Sequence, residues 1–311
     1  MSLRIAVFGQ APFGRDVTAR IADAGHEIVA VHVPPSKGRP DPLAELAEER
    51  AWPLFRYKAY RRKGTGEPIT ERVDEYLATG ADLNLMPFTT AILPPVIVDA
   101  PRLGSLCFHP SLLPAYRGGN ALAWQIIMGE TESGVSVFQV DAGVDTGPLV
   151  VQKGGVPIAP TDNTVSLYYD KLYPLGVEAM VEAVEAVAAG TAKPTPQTEE
   201  GASFQGLVDD DVARIDWSKP GVEIDRLVRG CDPAPGARAT LGGDEVRLFG
   251  ARFEAGDPGA EAGSVLGLDS DGERLRIAVA GGVIGVQKLR VGDGPKQKAA
   301  ECGLGDGAKL A

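Results

Sequence analysis

Arg4-Ile5-Ala6-Val7-Phe8, the turn Gly9-Gln10-Ala11-Pro12-Phe13-Gly14 and the helical pattern Asp16–Ala24 together decide the class of fold. A short apolar run entering a glycine-containing turn and then a helix is the start of a βαβ unit. Outward from it, Glu27–Val33 and Leu83–Met86 read as further buried strands, with helical patterns at Pro42–Glu49 and Glu71–Thr79. Strand, helix and strand at this spacing predict an α/β fold with a doubly wound, mostly parallel sheet. Gly104–Phe108 and Gly134–Gln139 supply more strands, with the helix Ala121–Met128 between them. Thr164–Gly190 reads as one long helix, with Gly190 suited to its C-terminal cap.

The texture then changes. Thr191–Gly206 (TAKPTPQTEEGASFQG) is rich in Pro, Gly, Thr and Glu and reads as a linker. An acidic run, Asp209–Asp211, stands at a helix start or on a solvated face, and Val222–Arg229 reads as a short helix. Five glycine-punctuated strands follow: Arg238–Leu241, Glu245–Ala251, Gly263–Leu268, Leu275–Ala280 and Val283–Leu289. Their spacing predicts a small β-barrel. The expected domains are therefore 1–203 and 204–311.

Charge narrows the function. Across 311 residues the 31 basic and 42 acidic side chains give −11, and both expected domains are acidic, −7 (17 against 24) and −4 (14 against 18). Neither carries the basic excess needed to track a phosphate backbone, so a dedicated nucleic-acid binder is not expected. The one basic-aromatic cluster, Arg56 to Lys63 with Tyr57 and Tyr60, reads as a solvated loop or as a contact for an anionic tail or tRNA. Cys107, Cys231 and Cys302 are widely spaced, which offers neither a disulfide framework nor a zinc site. With no secretory leader pattern and no apolar run of membrane-spanning length, a cytoplasmic protein without a metal is expected.

Open parallel sheets bind ligands beyond the carboxyl ends of their strands, so the loops there matter most. The first loop, Gly9–Gly14, has neither the G-x-G-x-x-G spacing nor the lysine of a phosphate loop, and reads as a tight turn. In Ser105-Leu106-Cys107-Phe108-His109-Pro110-Ser111-Leu112-Leu113-Pro114 an apolar strand ends in a histidine and proline breaks the chain. His26 and His32, at a strand start and within a strand, read as structural. The turn Asp141-Ala142-Gly143-Val144-Asp145-Thr146-Gly147 follows the next strand and brings two carboxylates. A carboxylate beside an imidazole favours the imidazolium form, which polarises a carbonyl oxygen.

These two segments, with His109 and Asp145 36 positions apart, resemble the 10-formyltetrahydrofolate-dependent formyltransferase family. Its signature is H-x-S-L-L-P, followed some three dozen residues later by D-x-G-x-D-T-G. The resemblance extends to Ile215-Asp216-Trp217 and Pro235-Gly236-Ala237. It implies a Rossmann-like formyltransferase domain followed by an OB-like barrel, with His109 and Asp145 catalytic. It also implies that the segment Leu85–Leu93 holds the pterin ring, with Met86, Phe88, Ala91, Ile92 and Leu93 as contacts, joined by Asp141 and Asp145.

One position departs from the pattern. Most members keep an asparagine two residues before the histidine, and here Cys107 stands there. The N-terminal hydrolase domain of 10-formyltetrahydrofolate dehydrogenase is similar in lacking it. Cys107 then either leaves the oxyanion to water, or carries the formyl group as a nucleophile, or is a buried, inert thiol. The resemblance implies 10-formyltetrahydrofolate as formyl donor and water or a small nucleophile as acceptor. The alternatives are methionyl-tRNA formyltransferase and a sugar-nucleotide or amino-sugar N-formyltransferase. The chain ends at Ala311, so the dehydrogenase's NADP dependence is not expected of it.

Overall fold

The computed structural model describes residues 1–36, 38–305 and 307–311. They divide into two compact units. One comprises Met1–Arg117, Gly134–Gly154 and Leu172–Ser203, the other Gly118–Ser133, Gly155–Lys171 and Phe204–Ala311.

The first unit is built on β1 (Arg4–Phe8), β2 (Glu27–Val33), β3 (Leu54–Arg56), β4 (Leu83–Met86), β5 (Ser105–His109), β6 (Glu132–Gln139) and β7 (Leu149–Pro157), in the order β3-β2-β1-β4-β5-β6-β7. Strands β1 to β5 pair in parallel and β6 runs antiparallel to β5. The expected mostly parallel sheet is present, and β3 and β7 are additions to it. β7 escaped the sequence reading because its apolar run, Leu149–Val151, is only three residues long and Gly154-Gly155 interrupts the strand.

Helix α1 (Ala11–Asp23) begins five residues earlier than the sequence pattern, with Pro12 in its first turn, where a missing N–H costs nothing. Its buried stripe is Phe13, Val17 and Ile21. Asp41 caps α2 (Pro42–Glu49) by accepting from the Leu43 amide at 2.9 Å, and its other oxygen accepts from Ala11 N at 2.7 Å, tying the two helix starts together. At the end of β1, Gly9 leaves room for Pro87, since a Cβ there would stand only 3.0 Å from the proline ring. Helices α3 (Thr70–Leu77) and α4 (Pro95–Val98) follow. In the middle of β4, buried Asn84 accepts from Tyr76 Oη and donates to Ile97 O and Ser105 Oγ, all within 3.0 Å. A satisfied polar network of this kind fixes one arrangement of the sheet.

The second unit holds α5 (Ala121–Met128) and α6 (Thr164–Ser166). The single helix expected over 164–190 is in fact three segments: α6, a π-helical stretch Leu167–Leu172, and α7 (Tyr173–Ala188), which belongs to the first unit. Pro174 has no N–H to continue the α-ladder back to Asp170, which breaks the register there. Gly190, at φ 68°, follows the end of α7 as expected of a cap glycine. Helix α8 (Gly221–Gly230) precedes an antiparallel sheet of β8 (Ala237–Leu241), β9 (Asp244–Ala255), β10 (Val265–Leu268), β11 (Leu275–Val279) and β12 (Gly282–Val291), ordered β10-β11-β12-β9-β8, with β13 (Gln297–Lys298) on β12. Val228, Val246, Leu248, Ile277 and Ile284 are fully buried among its core residues. Of the acidic run, Asp209 closes a turn onto the Asp211 and Val212 amides, while Asp210 pairs with Arg247 at 2.8 Å.

His32 and His26 are both buried. The His32 ring lies between Phe8 and Phe55, with centroids 4.3 and 4.8 Å away, and its Nδ1 is 2.8 Å from Tyr60 Oη. Burial lowers its pKa from 6.5 to about 3. Between those values the unfolded chain binds a proton that the folded chain refuses, so stability falls as pH falls from 6.5 toward 3, by up to ~1.4 kcal/mol per pH unit. His32→Phe with Tyr60→Phe, which spares the lost hydroxyl partner, is expected to flatten this slope. Urea unfolding of variant and parent between pH 4 and 7 measures it, and parallel losses would assign the acid sensitivity to other groups.

Candidate active site

Side chains two apart on a strand share a face. Cys107 and His109 on β5 therefore point the same way, toward the turn that joins β6 to β7. His109 closes the strand and is 6% exposed. Its Nε2 is 2.7 Å from the carbonyl oxygen of Tyr116. A carbonyl only accepts, so Nε2 carries the hydrogen. Its Nδ1 lies 3.5 Å from Asp145 Oδ2. With Nε2 as the donor to Tyr116, Nδ1 is the ring atom that faces the carboxylate.

The loop after His109 is held from several sides. Ser136 Oγ donates to Ser111 O at 2.7 Å and accepts from Leu113 N at 3.1 Å. Gln152 Nε2 donates to Leu113 O at 2.8 Å. The turn carrying Asp145 folds around Asp141, whose Oδ1 accepts from Gly143 N at 2.9 Å and from Thr146 Oγ1 at 2.7 Å. That carboxylate oxygen is engaged in shaping the turn. Asp145 itself adopts φ 55°, in the left-handed region.

The stretch read as a linker, Thr191–Gly206, is bound to both loops. Thr195 bridges to Leu149, Ser203 Oγ accepts from Tyr116 N at 2.8 Å, and Gln197 reaches Arg117, Asp145 and Gly147. These residues escaped the sequence reading because the segment has no apolar period, and single-residue polar contacts leave none.

Cys107 packs beside Met86 and Val140 at the edge of a core cluster. Burial first, and then the Asp145 carboxylate, push its thiol well above the usual range, so it stays protonated. Among the residues implied for the pterin, Met86 and Leu93 lie in the core, and Ile92 is 78% exposed. Phe88 and Ala91 line a cavity with Phe8, Gly9, His32 and Thr89. Of the basic-aromatic cluster, Tyr60 is in the core, Arg61 donates to Leu93 O at 2.8 Å, and Arg56 pairs with Glu48 at 2.5 Å. Lys58, Arg62 and Lys63 are exposed. Among the described residues no group of three potential ligands could hold a metal, and no helix is long and apolar enough to cross a membrane.

Residues 3–184 match the family model described as formyl transferase, and residues 208–306 match that of its C-terminal domain. The chain belongs to the formyl transferase family. It is similar to the mitochondrial 10-formyltetrahydrofolate dehydrogenase of Mus musculus, at 41% identity over 80% of this chain and 27% of that protein. It thus spans about a quarter of the length of the dehydrogenases it matches. It is also similar to methionyl-tRNA formyltransferase of Stutzerimonas stutzeri (strain A1501), at 35% identity over 94% of this chain and 91% of that protein. In fold it resembles HypX from Aquifex aeolicus, whose structure was determined in complex with tetrahydrofolic acid. There the TM-score is 0.70 at 24% identity, covering 96% of this chain and 46% of that one.

Proposed function

We propose that this protein removes the formyl group of 10-formyltetrahydrofolate, by hydrolysis or by transfer to a small nucleophile, and releases tetrahydrofolate. The observation that carries this reading is the imidazole of His109 within 3.5 Å of the Asp145 carboxylate, at the carboxyl end of β5. The attacking oxygen or nitrogen forms a bond to the formyl carbon while the carbonyl π electrons move onto oxygen. The Nδ1–H of His109 stabilises that oxyanion. At 3.5 Å its hydrogen is not drawn into the 2.7–2.9 Å contact typical of a charge-assisted bond, so it can serve the new acceptor. Asp145 accepts the nucleophile's proton. Collapse of the tetrahedral adduct breaks the C–N10 bond, and the proton passes to N10.

The pterin is read against the Phe88–Ala91 cavity wall, and Asp141 as the residue that shapes the Asp145 turn. The antiparallel unit is taken as the OB-like module, with the domain boundary near residue 203. Cys107, a neutral thiol, is read as passive. It makes a weaker oxyanion partner than an amide, which favours water as the acceptor.

Methionyl-tRNA formyltransferase is the second reading, favoured by a relative matched over nearly its whole length. Against it stands the net charge of −11, because tRNA affinity rests on several phosphate contacts. The test incubates purified protein with 10-formyltetrahydrofolate, with and without initiator methionyl-tRNA, at low and physiological salt. Formate release outpacing tRNA formylation is expected. Formyl-methionyl-tRNA forming faster than formate would reverse the order of the two readings.

A further inference from the structure

We infer that Gln197 is a positioning residue that locks the two catalytic loops into one geometry, an inference that rests on reading His109 and Asp145 as the reacting pair. A side-chain amide has two N–H donors and two lone pairs on its oxygen. In Gln197 all four are used. Its Nε2 donates to Asp145 O at 2.8 Å and to Gly147 O at 2.7 Å. Its Oε1 accepts from Arg117 Nε at 3.2 Å and from Arg117 Nη2 at 3.0 Å.

Arg117 belongs to the other loop. It is 8% exposed, and its main-chain N donates to Ser203 O at 2.9 Å. The preceding residue, Tyr116, supplies the carbonyl that receives His109 Nε2 at 2.7 Å. One continuous path therefore runs from the His109 ring through Tyr116, Arg117 and Gln197 to the backbone of Asp145. The far end of the path needs such a hold. Asp145 sits at φ 55°, where a residue with a Cβ is strained, and its carbonyl is one of the two oxygens that Gln197 grips. The loop tip around it is otherwise exposed, with Val144 56% accessible. Gln197 thus sets how far the Asp145 carboxylate stands from Nδ1.

The test uses the full chain. Gln197→Met keeps the side chain's length and removes every hydrogen bond. Gln197→Glu keeps the pairing with Arg117 but turns a carboxylate toward the two carbonyls. Both are expected to lower kcat for formate release by about 10–100-fold, since a misplacement near 1 Å costs on that order. KM for 10-formyltetrahydrofolate should stay within about threefold, and thermal unfolding should remain cooperative. Gln197→Met added to Asp145→Asn should give no further loss, because Gln197 acts through Asp145. A kcat within threefold of the parent, a loss confined to KM, or an undiminished effect on the Asp145→Asn background would each overturn the inference, as would loss of folate binding in both variants. Turnover retained by His109→Ala and Asp145→Asn would instead remove the reading of the pair, and the inference with it.

Discussion

His109→Ala and Asp145→Asn are each expected to reduce formate release from 10-formyltetrahydrofolate by about 10²–10⁴-fold, while 5-formyltetrahydrofolate still binds. That range is what a positioned general acid–base group or a single oxyanion donor typically contributes. Alanine at 109 removes the Nδ1–H and also leaves Tyr116 O without its 2.7 Å donor. Asparagine at 145 is nearly isosteric, so the turn persists, but it cannot accept the nucleophile's proton. It also removes the negative charge 3.5 Å from the His109 ring. Single-turnover formate release and calorimetric titration with the 5-formyl compound separate chemistry from binding. Near-normal turnover in both variants would take the pair out of the reaction.

Gly147→Ala is expected to be nearly as damaging, for a reason that involves no chemistry at all. A Cβ at this position would stand 1.7 Å from the Gln139 carbonyl oxygen and 2.9 Å from its carbon. Both are backbone atoms of β6 and have no rotamer with which to yield. The turn must move outward, taking with it the Gly147 O that receives Gln197 and the Asp145 carboxylate two residues upstream. Overpacking of this kind costs about 1–3 kcal/mol of stability. Displacement of the carboxylate by even 1 Å is expected to cost about 10²-fold in turnover. Gly155→Ala is the control. At φ 78° with nothing within 4 Å of the added methyl, it should pay the left-handed strain and leave catalysis intact. Urea unfolding and formate release on the two variants make the comparison, and equal turnover in both would show that the turn tolerates the methyl.

Much of the fold was legible because its strands are buried on both faces. Arg4–Phe8, Glu27–Val33 and Leu83–Met86 are mostly apolar and buried nearly throughout, interrupted within by only His32 and Asn84, and β2 and β4 match the sequence reading to the residue. β7 was not legible, since its apolar run of Leu149–Val151 is short and gives way to Gln, Lys and two glycines, nor was β3, only three residues long. The π-helical stretch hid inside a continuous apolar pattern, because helical periodicity reports which face is buried and says nothing of the hydrogen-bond ladder. Of the candidate residues, His109 stood out as one of three histidines, at the end of a strand, and Asp145 through the two-carboxylate turn that follows the next strand. Gln197, Arg117 and Ser203 could not stand out, being ordinary polar residues whose meaning lies wholly in partners as many as 87 positions away.

Neither compact unit is a continuous stretch of chain, and this governs how the protein is made. The first unit is complete only when Ser203 has been synthesised. The second begins with Gly118–Ser133 and Gly155–Lys171, yet most of its mass lies beyond Phe204. On the ribosome, Ala123 and its neighbours on α5 wait for Val228, Val246 and Ile284 to emerge before the cluster they belong to can form. Such long-range closure is slow and leaves apolar surface waiting in the interval. A chain released near residue 203 would carry those early segments with no core to join.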